Sequence, residues 1–349
     1  MPAADMAPLI ASVRSRLQEE LPTHLGATAV VVQAIEPLAG GACQDNLRVD
    51  LVVTGGPEEG ERRLVLRADA PSALAGSLDR RAEYAVIAAA REAGVRTPRA
   101  RFLMEGALAR PGWAYLLDFV GGTAVGRQVL DRPELAAARA ALASELAVQL
   151  SLIHTVTAGA GPGVLPIPGA AADPAFEALG FLDRRLDAIE EPFVALELIT
   201  RWLRRHAPLD SGERVLVHGD FRVGNFMVAP AGLTAVLDWE FAHYGAPEED
   251  VAWIAVRDWR FGKVDRPVGG FADRAPFHAA YSAASGRSLD PARVHWWEVF
   301  GNARWAAGCL DQAERYRSGP QKDLELLAIG RRGIEMAWEA MRLIDRGPP

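Results

Sequence analysis

VLVHGDFRVGNFMVAPAGLTAVLDWE, residues 215–240 of a 349-residue chain, decides how the rest is read. A short apolar run, VLV, breaks at His218-Gly219-Asp220, FMVA resumes β character, Pro230-Ala231-Gly232 turns, and LTAVLD returns. The pattern predicts a loop flanked by Asp220 and Asn225, with Asp238 delivered at the end of the following strand. A carboxylate and a carboxamide, Asp238 and Asn225, suit a hard cation such as Mg²⁺, which takes oxygen ligands and keeps waters for a substrate phosphate. Asp220 is left over, free to accept a proton from a hydroxyl. The same residues admit a metal hydrolase using His218, Asp220 and Asp238. That alternative expects further His or carboxylate ligands at short spacing, and no second His cluster joins this one.

Composition narrows the classes. Half the residues are hydrophobic and 24% charged, an ordinary globular balance, and the length suggests two domains. A formal charge of −7 with no long basic run argues against nucleic acid and gives no support to an anionic membrane partner. No stretch of eighteen apolar residues occurs, and the first thirty residues lack a signal-peptide pattern. Cys43 and Cys309 form no framework or cluster. A cytoplasmic location is the expectation. Lys263 and Lys322 are the only lysines among 38 basic residues, so any cationic role earlier in the chain falls to arginine.

Working outward toward the N-terminus, apolar positions Ile10, Val13, Leu17 and Leu21 predict an amphipathic helix. Three strands follow, AVVVQAIEPL, NLRVDLVVTG and RRLVLRAD, then a helix over 79–94 with Tyr84, Ile87 and Ala88 on one face and Gly94 as its cap. Thr97-Pro98 breaks the chain before two more strands, RARFLMEG and WAYLLDFV. Gly121-Gly122 marks a hinge. Beyond it Leu135, Ala138, Leu142, Leu146, Leu150 and Ile153 stripe one long helix, two more helices lead to the opening stretch, and the remainder reads as mostly helical. The expected class is α+β, with domains at 1–120 and 121–349.

HGDFRVGN followed by LDWE resembles the catalytic loop and metal motif of the aminoglycoside phosphotransferase and choline kinase-like family, relatives of protein kinases. The resemblance covers most of the chain and implies a bilobal protein-kinase-like fold, a small β-rich N-terminal lobe for nucleotide and a larger, mainly helical C-terminal lobe for catalysis and substrate. It implies Asp220 as catalytic base, Asn225 and Asp238 as Mg²⁺ ligands, and ATP or GTP as co-substrate. LAGGACQDN, with Gly40 and Gly41, is similar to the turn covering the nucleotide phosphates. Arg67 stands where the family's basic residue on the third strand meets the phosphates and pairs with an acid on the next helix, here Glu83. Protein kinases have Lys there, and Arg binds phosphate bidentately but is bulkier. LLDFVGG, with Asp118 and Val120, looks like the hinge contacting an adenine. His218 looks like the structural histidine of the loop, and Asp250 in EEDVAW resembles the aspartate that bonds the loop backbone.

Arg222, two residues after the base, suits a γ-phosphate or an anionic acceptor. Tryptophans and arginines cluster at Trp253, Arg257, Trp259 and Arg260 and again at Trp296, Trp297, Arg304 and Trp305, most of the tryptophans reading as core. No dense acidic run favours a polycationic antibiotic. The motifs also resemble the branch of phosphotransferase-like domains associated with acyl-CoA dehydrogenases. The expected activity is phosphoryl transfer to a hydroxyl of a small molecule, with an antibiotic kinase or a catalytically silent nucleotide-binding protein as alternatives. No activation-loop segment follows the metal motif, which argues against a protein kinase.

Overall fold

The computed structural model describes residues 3–38, 45–69, 76–106, 111–169, 173–189, 193–319 and 322–348. Internal contacts divide the chain into two compact units, Met1–Gly121 with Ala235–Ala242, and Gly122–Thr234 with His243–Pro349.

The first unit contains α1 (Ala3–Leu25), β1 (Ala29–Pro37), β2 (Asp45–Thr54), β3 (Gly60–Ala68), α2 (Arg80–Glu92), β4 (Ala100–Glu105) and β5 (Trp113–Asp118). Its strands form one antiparallel sheet in the order β1-β2-β3-β5-β4. Period-two alternation puts Leu47, Val49, Leu51 and Val53 of β2 on the inner face, each at most 1% exposed. In β1 the inner positions run Val30, Val32, then Ile35, because the register shifts between Val32 and Ala34 and reverses the parity. Val13, Leu17 and Leu21 of α1 join these strands in one core, as their helical spacing requires.

Helix α2 forms where the sequence places it, but not with the face expected. Its buried stripe is Glu83, Val86, Ile87 and Ala90, and Ala88 is exposed. Ion pairs made by Glu83 turn the helix, so Ile87 stays inside while Ala88 does not. Asp79 caps the helix, its Oδ1 accepting from Ala82 N at 2.7 Å.

The second unit is mainly helical. It contains α3 (Gly126–Asp131), α4 (Ala136–Ile153), α5 (Pro174–Asp187), α6 (Val194–Arg205), β6 (Val215–Val217) and β7 (Phe226–Ala229). Strand β8 (Gly232–Val236) pairs with β7, and its last two residues belong to the first unit. Then come β9 (His243–Gly245), paired with β6, and α7 (Pro247–Trp253), α8 (Arg274–Ser285), α9 (Pro291–Ser318), α10 (Leu324–Gly330) and α11 (Gly333–Arg346). The stripe read from sequence on α4, from Leu135 to Ile153, is buried throughout. Pro133–Ile153 is long and apolar enough to cross a bilayer by length and composition, and those six buried positions make it a core helix of this unit. The protein is thus α+β, with a β-rich unit and a larger helical one.

Leu66, wholly buried in β3, tests this packing. Leu66→Ala should cost about 2–5 kcal/mol in urea unfolding. Val31→Ala, at a position 55% exposed on β1, should cost less than about 0.5 kcal/mol. Equal losses would contradict the assigned inner face.

Candidate active site

In the second unit, the turn after β6 is set by a carboxylate that never reaches solvent. Asp250, on α7 and 0% exposed, accepts from His218 N at 2.6 Å and from Gly219 N at 3.0 Å. Its Oδ2 also lies 3.4 Å from His154 Nε2, and His154 Nδ1 is 2.7 Å from the Tyr281 hydroxyl. Burial alone would raise the Asp250 carboxyl, but the hydrogen bond with His154, the nearby His154 and His218 rings and the His218 amide hold it below its ordinary value. Asp250 therefore bonds the loop backbone, the role its position in EEDVAW suggested. Gly219 takes φ +76, a conformation costly for a residue with Cβ, and so permits the reversal into Asp220. His218 is fully buried and accepts the Asp220 amide at its Nδ1, 3.2 Å away, which makes it a brace.

Asp220 is 8% exposed and is held by three side chains. Arg222 Nε donates to Oδ1 at 2.9 Å and Oδ2 at 3.0 Å, Asn225 Nδ2 donates to Oδ2 at 2.7 Å, and Trp253 Nε1 donates to Oδ1 at 2.8 Å. Asn225 Nδ2 also donates to the Asp220 carbonyl at 2.9 Å, closing the loop on itself. With its nitrogen so committed, Asn225 has Oδ1 as the atom able to meet a cation. Arg222 is stacked 4.3 Å above the Trp259 ring, and Arg304 lies 4.6 Å over Trp253. The structure thus brings Asp220, Arg222 and Asn225 together, and adds Trp253. In sequence Trp253 stands out as one of a tryptophan–arginine cluster that reads mostly as core, and nothing there points it at Asp220.

The first unit holds a second cluster. Arg67 on β3, 8% exposed, directs Nη2 to Glu83 Oε1 at 3.0 Å and to Asp238 Oδ1 at 2.8 Å. The pairing with Glu83 is the one the sequence led us to expect. Burial opposes the Arg67 charge, but Glu83, Tyr115 and Asp238 overcome it and raise the group well above its ordinary value. Arg80, not singled out from sequence, lies 2.5 Å from Glu83 Oε2 and 3.7 Å from Glu240. Its signal was available: it sits three residues before Glu83, one helical turn away. Burial pushes the Glu240 carboxyl up to about 8, the Asp238 charge adds to this, and Arg67 and Arg80 hold it back. Asp238 adopts φ +66, uncommon for a non-glycine residue and frequent where a site over-determines its backbone.

The remaining predicted residues are plain to place. Asp118 ends β5 and is paired with Arg101, Oδ1 lying 2.5 Å from Nε. Its neighbour Val120 is half-buried and takes part in none of the backbone hydrogen bonds among the described residues. Gly40 and Gly41 lie outside the described residues.

Mg²⁺ can be tested against these donors. Among the described residues no three His, Cys, Asp or Glu side chains converge as a cage. Taken each within its own unit, Asn225 offers an amide oxygen and Asp238 a carboxylate, and both are oxygen donors of the kind a hard cation accepts.

The phosphotransferase enzyme family model matches residues 34–297, and the chain belongs to that family. Among solved structures, it is similar to a Ralstonia eutropha protein provisionally described as an aminoglycoside phosphotransferase, with a TM-score of 0.75, 21% identity, and 97% of this chain and 99% of that one covered. A choline/ethanolamine kinase family protein from Mesorhizobium loti gives a TM-score of 0.58 at 18% identity, over 95% of each chain. A thermostable mutant of aminoglycoside phosphotransferase APH(4)-Ia, in ternary complex with ADP and hygromycin B, gives 0.59 at 16%, over 94% and 98%. These likenesses establish a protein-kinase-like fold. Chicken acyl-CoA dehydrogenase family member 11 is 41% identical over 61 residues, which are 17% of this chain and 8% of that protein. The matched stretch is thus under a tenth of that relative's length, and the similarity fits the branch expected from the motifs.

Asp250→Asn isolates the buried carboxylate. Because the folded carboxyl is depressed below about 3.8, its stabilisation is complete above that value and is lost as pH falls through the folded one. The variant should be less stable at pH 7 by about 2–4 kcal/mol and should lose stability less steeply than the wild type below pH 5. Parallel acid-unfolding curves would refute the assignment.

Proposed function

We propose that the chain is a Mg²⁺-dependent kinase that moves the γ-phosphoryl group of ATP or GTP to a hydroxyl of a small molecule. The observation that carries this reading is the Asp220 carboxylate, buried in a loop pinned by Asp250 and fixed by Arg222, Asn225 and Trp253. A base must be held in one geometry to shorten the path of a proton, and this one is.

Asp220 takes the proton of the acceptor hydroxyl as its oxygen bonds to the γ-phosphorus. The bond from that phosphorus to the β-γ bridging oxygen breaks, and the nucleoside diphosphate leaves. Asn225 and Asp238 would hold Mg²⁺, which supplies charge neutralisation on the transferring group. Arg67 grips the nucleotide phosphates while Glu83 keeps its guanidinium in place, and Arg222 steadies the transferring phosphoryl. Gly40, Gly41, Asp118 and Val120 belong to the nucleotide side in this reading, by resemblance of their motifs. The acceptor is a small molecule, consistent with the choline/ethanolamine kinase family and aminoglycoside phosphotransferase names among the structural neighbours. Arg222 and Arg304, each on a tryptophan ring near Asp220, make a polycationic antibiotic the poorer fit. The motif branch favours a hydroxylated acceptor bearing a carboxylate.

A silent nucleotide binder is the competing reading. It draws on one observation, that Arg67 replaces lysine and engages Asp238 directly.

Mixing protein, Mg²⁺ and ATP or GTP with a panel of hydroxylated acids, amino alcohols and aminoglycosides distinguishes the two. The proposed enzyme consumes nucleotide with at least one acceptor, and Asp220→Ala slows that turnover by about 10²- to 10⁴-fold without abolishing nucleotide binding. Full turnover by the variant on an acceptor it phosphorylates would remove Asp220 as base, and no turnover on any acceptor would favour the silent reading.

A further inference from the structure

A carboxylate offers about four lone-pair directions, and all four of those on Asp220 are used. Oδ1 receives Arg222 Nε and Trp253 Nε1, and Oδ2 receives Arg222 Nε and Asn225 Nδ2. A substrate hydroxyl therefore reaches Asp220 only by replacing a donor. The three donors differ in how firmly they are held.

Asn225 is 5% exposed and tied a second time to the Asp220 carbonyl. Trp253, also 5% exposed, is the last residue of α7 and packs 5.7 Å from Trp259. The segment carrying Trp259 is bolted from behind. Arg260 donates to the Ala255 carbonyl at 2.7 Å and pairs with Glu339 at 3.0 Å, and Arg257 N donates to Asn302 Oδ1 at 3.2 Å. Moving Trp253 would disturb a packed core. Arg222 is different: its side chain is 24% exposed, its Nε is shared between two oxygens, and its guanidinium rests on a ring face and on the Val223 carbonyl at 3.2 Å. A ring face tolerates sliding, and an anion offers the same guanidinium a stronger partner.

We infer that Trp253 is a positioning residue that fixes the catalytic carboxylate through its indole N–H, and that Arg222 is the displaceable donor whose place the acceptor hydroxyl takes. This rests on Asp220 acting as the base. The phosphoryl group that draws Arg222 off Asp220 is the group about to be attacked, so the base becomes open to a hydroxyl when nucleotide is present. Trp253 and Asn225 meanwhile keep the carboxylate from rotating after Arg222 leaves.

Indole ¹⁵N–¹H spectra of the full chain, with Trp253→Phe to identify the Trp253 signal, read the contact without any acceptor. In Asp220→Ala the signal moves upfield, while in Arg222→Met it stays near its wild-type position because the indole bond does not depend on the guanidinium. Hydrolysis of Mg²⁺·ATP, with water as acceptor, reads the consequence. Trp253→Phe lowers kcat by about 10- to 100-fold at unchanged nucleotide KM. A signal unmoved in Asp220→Ala, a signal lost from its position in Arg222→Met, or a folded Trp253→Phe with wild-type kcat would each overturn the inference. Wild-type turnover by Asp220→Ala would instead remove the base reading, and the spectra would still report whether Trp253 holds the carboxylate. Should Trp253→Phe not fold, sequential assignment from the Trp253 backbone amide identifies the indole signal instead, and the spectra of the other two variants decide.

Discussion

A carboxylate with no exposure at all, Asp250, is the constraint around which the loop from His218 to Asn225 is built. Removing an ion from water costs several kcal/mol unless its lone pairs are met, and here two consecutive backbone amides and a histidine meet them. Those amides converge on one carboxylate only if the chain reverses at Gly219, and the reversal carries Asp220 out beside Asn225 and Trp253. The geometry of Asp220, the proposed base, is thus a consequence of satisfying a different, buried acid. His218, between the two, is a brace for the same reason.

The first unit solves a related problem with arginine. Glu83 is buried between two guanidinium groups, those of Arg67 and Arg80, and Arg67 reaches Asp238 with the same nitrogen that meets Glu83. A planar fork with five donors can serve two carboxylates where an ammonium would be more strongly hydrated and less directional. In the proposed reaction both partners of the Arg67–Asp238 pair are wanted elsewhere, one by phosphate and the other by Mg²⁺. Under that proposal, nucleotide and metal arriving together would exchange one charge pairing for two, so neither group would be left buried and unpaired. The raised Glu240 carboxyl belongs to the same crowding of acids around two cations.

Much of this was legible because local patterns and tertiary burial agree. Period-two runs in β2 and the six-residue stripe of α4 are inside, as their spacing demands, and the chain order of helices and strands follows the turn residues between them. The spacing of Asp220, Asn225 and Asp238 was enough to single out the polar groups, and two of them do meet in one hydrogen-bonded loop. Other features depend on contacts that periodicity does not encode. The insertion of β5 between β3 and β4 is a matter of long-range pairing. Helix α2 is rotated by one position because Glu83 must face Arg67, and an ion pair outweighs the modest apolar gain of burying Ala88. Trp253 read as core, which it is, but a core tryptophan still carries an N–H that needs an acceptor, and here the acceptor is Asp220, the proposed base.

The account's central claim is that this family member has kept a working nucleotide and metal site despite lacking the lysine. Calorimetric titration of the non-hydrolysable ATP analogue AMP-PNP into the full chain, with and without Mg²⁺, and repeated with Arg67→Met, tests it most directly. The account predicts binding that strengthens when Mg²⁺ is present and weakens by about tenfold or more when the guanidinium is removed. Binding that is absent at millimolar nucleotide, or that is indifferent to both Mg²⁺ and Arg67, would contradict it.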